Sequence, residues 1–181
     1  MSERVALIGL SGAGKTTVAP KVAARLRCDW IALDSEIARA AGADAGGAAA
    51  LLRGEGEAAF RRREADALRW ALEEDRRPRL VVACGAGALL LPENRDRLAA
   101  RAVTVWLRVT PEIAAARLGA TPEGDRPLLA GDSAEARLRT LWEDRRASYA
   151  AAAAAVVETE GRSPDEVADV VAGIVREAGW A

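Results

Sequence analysis

Residues 9–16 read Gly9-Leu10-Ser11-Gly12-Ala13-Gly14-Lys15-Thr16, the spacing G-x-x-x-x-G-K-[ST]. The apolar run Val5-Ala6-Leu7-Ile8 precedes it, and a helical pattern follows from Lys15 to about Leu26. A short apolar run bounded by glycine suits a buried parallel strand. Glycines let the chain wrap closely around an anion with its N–H groups turned inward, and the first turn of a helix adds partial positive charge. Strand, glycine turn and helix in this order commit the chain to an α/β layered fold and the turn to a phosphate. Gly12, Ala13 and Gly14 form the cradle, Lys15 reaches for the β- and γ-phosphates, the Thr16 hydroxyl suits Mg²⁺, and Thr17 continues the same turn. Lys15 is one of only two lysines, against 24 arginines, so a lysine here is informative. Pro20, inside the helical pattern, should bend the helix or weaken it, since proline lacks the N–H that a helix interior needs.

Further short apolar runs follow. Trp30-Ile31-Ala32-Leu33 reads as a second strand ending at Asp34, Leu80-Val81-Val82-Ala83 as a third, and Val103-Thr104-Val105-Trp106-Leu107 as a fourth. The third ends in Cys84-Gly85-Ala86-Gly87. Residues 35–75 look helical, broken at Gly42–Gly47 and at Arg53-Gly54-Glu55-Gly56. Pro111 opens another helix, the glycine- and proline-rich segment 118–133 reads as a mobile loop, and residues 134–150 are helical. The alanine run 151–155 favours helix by propensity, whereas a strand at about Ala153–Val157 would complete the alternation. Ser163 or Asp165 would cap a last helix with Pro164 at its start. Strands alternating with helices indicate one α/β domain around a parallel sheet.

Composition narrows the function. Twenty-six basic and 27 acidic side chains give a net charge of −1, which argues against a nucleic-acid partner held by phosphate neutralisation. No apolar run approaches the length of a membrane span, and the first ten residues do not read as a secretory signal. Histidine is absent, which removes histidine triads and histidine metal sites, and two cysteines fit a reducing cytoplasm. No apolar run ends in Asp-Glu, as in many motor ATPases, and no Asn-Lys-x-Asp stretch marks a guanine site. A short chain with arginine-bearing loops therefore points to a small-molecule kinase.

Seven segments in order and at similar spacing make the chain resemble the shikimate kinase family over about Val5 to Val171. They are the phosphate loop, LDSEIARAAG, GEAAFRRREADAL, CGAG, NRDRL, RPLLAG and DRRASY. The resemblance implies a three-layer P-loop kinase domain over residues 1–181. Its five-stranded parallel sheet would have the order 2-3-1-4-5 with helices on both faces, a helical substrate-binding insertion at about 34–63 and a lid at about 117–131. It further implies a monomer that uses ATP and Mg²⁺ to phosphorylate the 3-hydroxyl of shikimate, without nucleic-acid or membrane partners. Another small hydroxy acid or polyol, of gluconate or cyclitol type, is an alternative acceptor, and a non-catalytic nucleotide-binding protein is a second alternative.

Residue by residue, the family positions Asp34 beside the metal and the acceptor hydroxyl, where it would hold metal-bound water or take the proton; an acid there would also serve as a helix N-cap. Glu36 falls on a hydroxyl-binding position usually held by Asp, and is equally a favourable acid in a first helical turn. Arg61 and Arg145 fall on carboxylate-gripping positions, with Glu64 bracing Arg61, although arginines in so arginine-rich a chain mostly face water. Gly85, Ala86 and Gly87 stand where the family shows three glycines. Ala86 would be strained if that position needs positive φ, or would trim the pocket if it needs only clearance; the segment otherwise reads as an ordinary strand-to-helix turn. Arg126 falls on the lid arginine, and Arg117 and Arg162 on positions flanking adenine. Tyr149 and the tryptophans read as packing residues.

Overall fold

The computed structural model describes residues 3–42, 47–119 and 134–180. Its strands are β1 (Arg4–Ile8), β2 (Asp29–Ala32), β3 (Leu80–Ala83), β4 (Val103–Arg108) and β5 (Ala155–Glu158). All pair in parallel in the order β2-β3-β1-β4-β5. The described helices are α1 (Lys15–Leu26), α2 (Leu33–Ala40), α3 (Gly47–Glu55), α4 (Glu57–Arg69), α5 (Pro92–Arg101), α6 (Pro111–Gly119), α7 (Ala134–Ala152) and α8 (Pro164–Glu177), and they cover both faces of the sheet. Every residue of β1 and β3 is buried, as expected where helices cover both sides of a strand. Ala6 pairs with Val82 on one side and Thr104 on the other, so the turn after β1 emerges at the middle of the carboxyl edge, where ligands sit in such sheets.

The departures from the sequence reading have local causes. β2 stops at Ala32, and Leu33 opens α2 directly, so Asp34 lies in a first helical turn rather than at the end of a strand. Asp34 and Glu36 both lie in that turn, where the helix dipole favours acids. Residues 53–55 stay helical, and the chain breaks only at Gly56, whose φ of 82° suits glycine. α4 runs on into a π-helical turn, Trp70–Glu74. α1 is continuous through Pro20. Residues 118 and 119 close α6, and the remainder of the expected loop, 120–133, lies outside the described residues. α7 takes the alanine run only to Ala152, because Val156 then pairs with Trp106 and completes the sheet. Ser163, not Asp165, caps α8: its hydroxyl accepts the Glu166 N–H (3.2 Å), while the Glu166 carboxylate accepts the Ser163 N–H (2.7 Å).

Candidate active site

The phosphate loop is shaped by close packing. Gly9, Gly12 and Gly14 have φ of 140°, 82° and 89°. A methyl on Gly9 would strike the Leu107 carbonyl in β4, and one on Gly12 would lie 2.8 Å from the Ala114 carbonyl in α6. The loop is thus fitted against β4 and α6 with no room for side chains at these two positions. Ala13 is buried and its N–H donates to Leu10 O (3.2 Å). Lys15 and Thr16 open α1, where N–H groups have no intrahelical acceptor and remain for an anion. Lys15 bends back over the loop, its Nζ donating to Gly9 O and Leu10 O, both at 2.8 Å. Burial lowers its pKa to about 8, against the opposing attraction of Asp34.

Above the loop lies a cleft of about 490 Å³. The exposed Thr16 and Thr17 line it, with Asp34 and Ala86 on one side and Arg117 and Arg162 on another. Arg117 spans the cleft wall. Its Nη1 donates to Thr159 Oγ1 (3.0 Å) and Gly12 O (3.4 Å), and its Nη2 to Thr159 O (2.7 Å). Arg162 is exposed in the loop that leads into α8.

Beside this cleft the fold gathers a second group of residues around the turn after β3. Gly85 and Gly87 have no positive φ; they provide clearance. A methyl on Gly85 would collide with Glu64 Oε1 and lie 3.1 Å from Asp34 Oδ1, and one on Gly87 would collide with the Arg61 guanidinium. Three charged side chains therefore press directly on glycine backbone. Arg61 Nη1 donates to Glu64 Oε2 (2.7 Å) and Nη2 to Glu57 Oε1 (3.3 Å), with the Phe60 ring 5.6 Å from the guanidinium carbon. Arg61 Nε is buried with no hydrogen-bond partner. Arg145, 5% exposed, donates to Ala86 O at 3.0 Å, and the buried Tyr149 hydroxyl donates to the same oxygen at 2.7 Å. Ala86 is free of left-handed strain, so its methyl only trims the cleft that it lines. Burial pushes the Asp34 carboxyl upward, opposed by Lys15 and Arg61, and pushes Glu64 upward against Arg61.

The structure therefore brings Asp34, Arg61, Glu64, Gly85, Ala86, Gly87 and Arg145 together beside Lys15. It does not bring Glu36 to them. That carboxylate accepts two hydrogen bonds from Arg39 (3.0 and 2.7 Å) and lines a separate cleft with Ile37 and Trp70. Arg62 and Arg63 are exposed, as expected of surface arginines. Arg126 lies outside the described residues. Sequence reasoning missed Glu57 and Thr159, which hold the site's arginines, and took Tyr149 only as a packing residue. Glu57 could have been found from its i,i+4 spacing to Arg61; Thr159, 42 residues from Arg117, carries no such local signal.

The sheet order and the cradle at its central edge define a P-loop kinase of small molecules. The shikimate kinase family model matches residues 11–175. The shikimate kinase of Nitratidesulfovibrio vulgaris is 41% identical over 170 residues, covering 93% of this chain and 94% of that one. That of Symbiobacterium thermophilum is 38% identical over 174 residues, covering 96% and 94%. Among solved structures, the shikimate kinase of Acinetobacter baumannii in complex with shikimate aligns with a TM-score of 0.89 at 30% identity, over 99% of this chain and 96% of that chain. The chain belongs to the shikimate kinase family.

Proposed function

We propose that the protein transfers the γ-phosphoryl group of ATP to the 3-hydroxyl of shikimate, giving shikimate 3-phosphate and ADP. The observation that carries this reading is the convergence of Arg61, Glu64 and Arg145 on the Gly85–Gly87 turn beside Asp34 and Lys15. Lys15 and the α1 N-terminus hold the β- and γ-phosphates. Arg61 and Arg145 grip the acceptor's carboxylate, where charge-assisted hydrogen bonds fix its orientation. Asp34 takes the hydroxyl proton as oxygen attacks phosphorus, and a carboxyl pushed upward by burial is a better base for that step than one in water. Arg117 and Arg162 flank the base, with Thr159 keeping Arg117 in place. Arg126 would close over the donor, shielding the reaction from water and offsetting charge on the moving group.

The hard oxygens of Thr16 and Asp34 fit Mg²⁺, and no cluster of three or more His, Cys, Asp or Glu among the described residues offers a full protein cage. That fits an ion held by one or two protein oxygens together with phosphates and water. Bound there, it would neutralise charge on the β- and γ-phosphates. Both cysteines are free, as suits a reducing cytoplasm; no helix among the described residues is long and apolar enough to cross a membrane.

The test is ADP release coupled to a spectrophotometric readout, with shikimate, quinate, gluconate and inositols as acceptors. Turnover should be confined to, or strongly favour, shikimate. Turnover of another acceptor without shikimate would overturn the substrate, and nucleotide binding without any phosphorylated product would overturn the activity.

A further inference from the structure

The turn after β3 contains two glycines and abuts Arg61, Glu64 and Arg145, yet three of its carbonyls are held by side chains from outside it. Asn94, 1% exposed in α5, donates its Nδ2 to Ala88 O at 2.8 Å. Arg95 donates to Leu89 O at 2.7 Å. Ala86 O receives both the Tyr149 hydroxyl and Arg145 Nη1. A carbonyl has two lone pairs, so these two donors fill the Ala86 oxygen. Tyr149 is itself fixed: it is 1% exposed, and its ring centroid lies 5.7 Å from that of Trp106, which stacks in turn near Trp142. Its hydroxyl is thus delivered to one oxygen from a rigid aromatic base, and burial raises its pKa to about 12, keeping it a donor at any working pH.

We infer that Tyr149 is a positioning residue for the acceptor: its hydroxyl, bound to Ala86 O, fixes the Ala86–Gly87 peptide and the place of Arg145 at the same time. The inference rests on the acceptor assignment above. In a trans peptide the N–H points opposite to the C=O, so holding the Ala86 carbonyl towards α7 aims the Gly87 N–H away from α7. Gly87 is also the residue whose Cα abuts the Arg61 guanidinium. Arg145 occupies only one of the two lone pairs while Tyr149 holds the other. Without the hydroxyl, Arg145 is the sole donor and recentres on the carbonyl, withdrawing from the substrate's carboxylate. On the nucleotide side, Lys15 and Arg117 are anchored on Gly9, Leu10, Gly12 and Thr159.

The test is Tyr149→Phe, which keeps the ring and its aromatic neighbours. The KM for shikimate should rise roughly threefold to tenfold, the span expected for one lost hydrogen bond, while the KM for ATP stays within about twofold. Tyr149→Met, which also lacks the hydroxyl, carries the same expectation if the phenylalanine variant does not fold. Unchanged constants for both substrates, equal rises in both KM values, or a lowered melting temperature with an unchanged shikimate KM would each overturn the positioning role. Failure of the wild-type enzyme to use shikimate would instead overturn the acceptor assignment.

Discussion

The donor and acceptor halves of the proposed site are built by opposite strategies. The donor half is almost entirely backbone: eight consecutive residues form a loop whose shape is set by left-handed glycines packed on β4 and α6, and its lysine folds back onto carbonyls of the same loop. The acceptor half is almost entirely side chain. Asp34 comes from α2, Arg61 and Glu64 from α4, Arg145 and Tyr149 from α7, and the β3 turn contributes mainly space. A loop of that kind is specified by one stretch of sequence. A cluster of that kind exists only after four elements have packed, so its specificity can drift through single substitutions that leave the donor half untouched.

That contrast can be broken most severely at Lys15. Lys15→Ala should cut kcat on the order of a thousandfold with shikimate KM nearly constant, measured by initial rates; a comparable rise in shikimate KM would mean that the halves are not separable. Arg126→Ala should reduce kcat on the order of a hundredfold with little change in either KM, as expected for a group acting on the transition state. Gly87→Ala should raise shikimate KM by roughly tenfold or more, because the methyl displaces Arg61, while nucleotide affinity by calorimetry stays put. Gly12→Ala is its mirror, weakening nucleotide and sparing shikimate.

The gentlest test is pH. The folded Lys15 loses its proton near pH 8 and an ordinary lysine near 10.5. Between those values the folded state holds fewer protons than the unfolded one, so this group's contribution makes stability rise with pH across the window. Nucleotide affinity should move the other way, falling up to about tenfold per pH unit above 8 as the ammonium is lost, and binding should take up a proton from the buffer. Both are readable by calorimetry, and shikimate affinity should show no break at that pH.

The same contrast explains what the sequence reveals. The donor loop, β1 and α1 are legible because period and glycine signals are local there, whereas the sheet order is legible only through the family resemblance. Among acceptor residues, Arg61 is one of 24 arginines, and only its resemblance to a family position separates it from Arg62 and Arg63, which the structure leaves exposed. α5 gives no periodic signal: its sequence PENRDRLAAR buries chiefly Leu98 and Asn94, and its place is fixed by the carbonyls that Asn94 and Arg95 hold. β5 runs against alanine propensity because pairing with β4 decides it. Glu36 shows the converse case: its position in the family pattern suggests a ligand, while in this structure Arg39, three residues on, is near enough to pair with it.

Behind the cleft, Lys21 and Arg25 of α1 are ion-paired with Asp165 and Asp169 of α8, and Arg176 donates to the Arg25 carbonyl. α1 begins at the phosphate loop and α8 just past Arg162, so under the proposed function the two ends of a nucleotide would meet helices already strapped together at their backs. Such a caliper would gauge the length of what it holds, and motion that admits the sugar-like partner would have to come from elsewhere in the molecule.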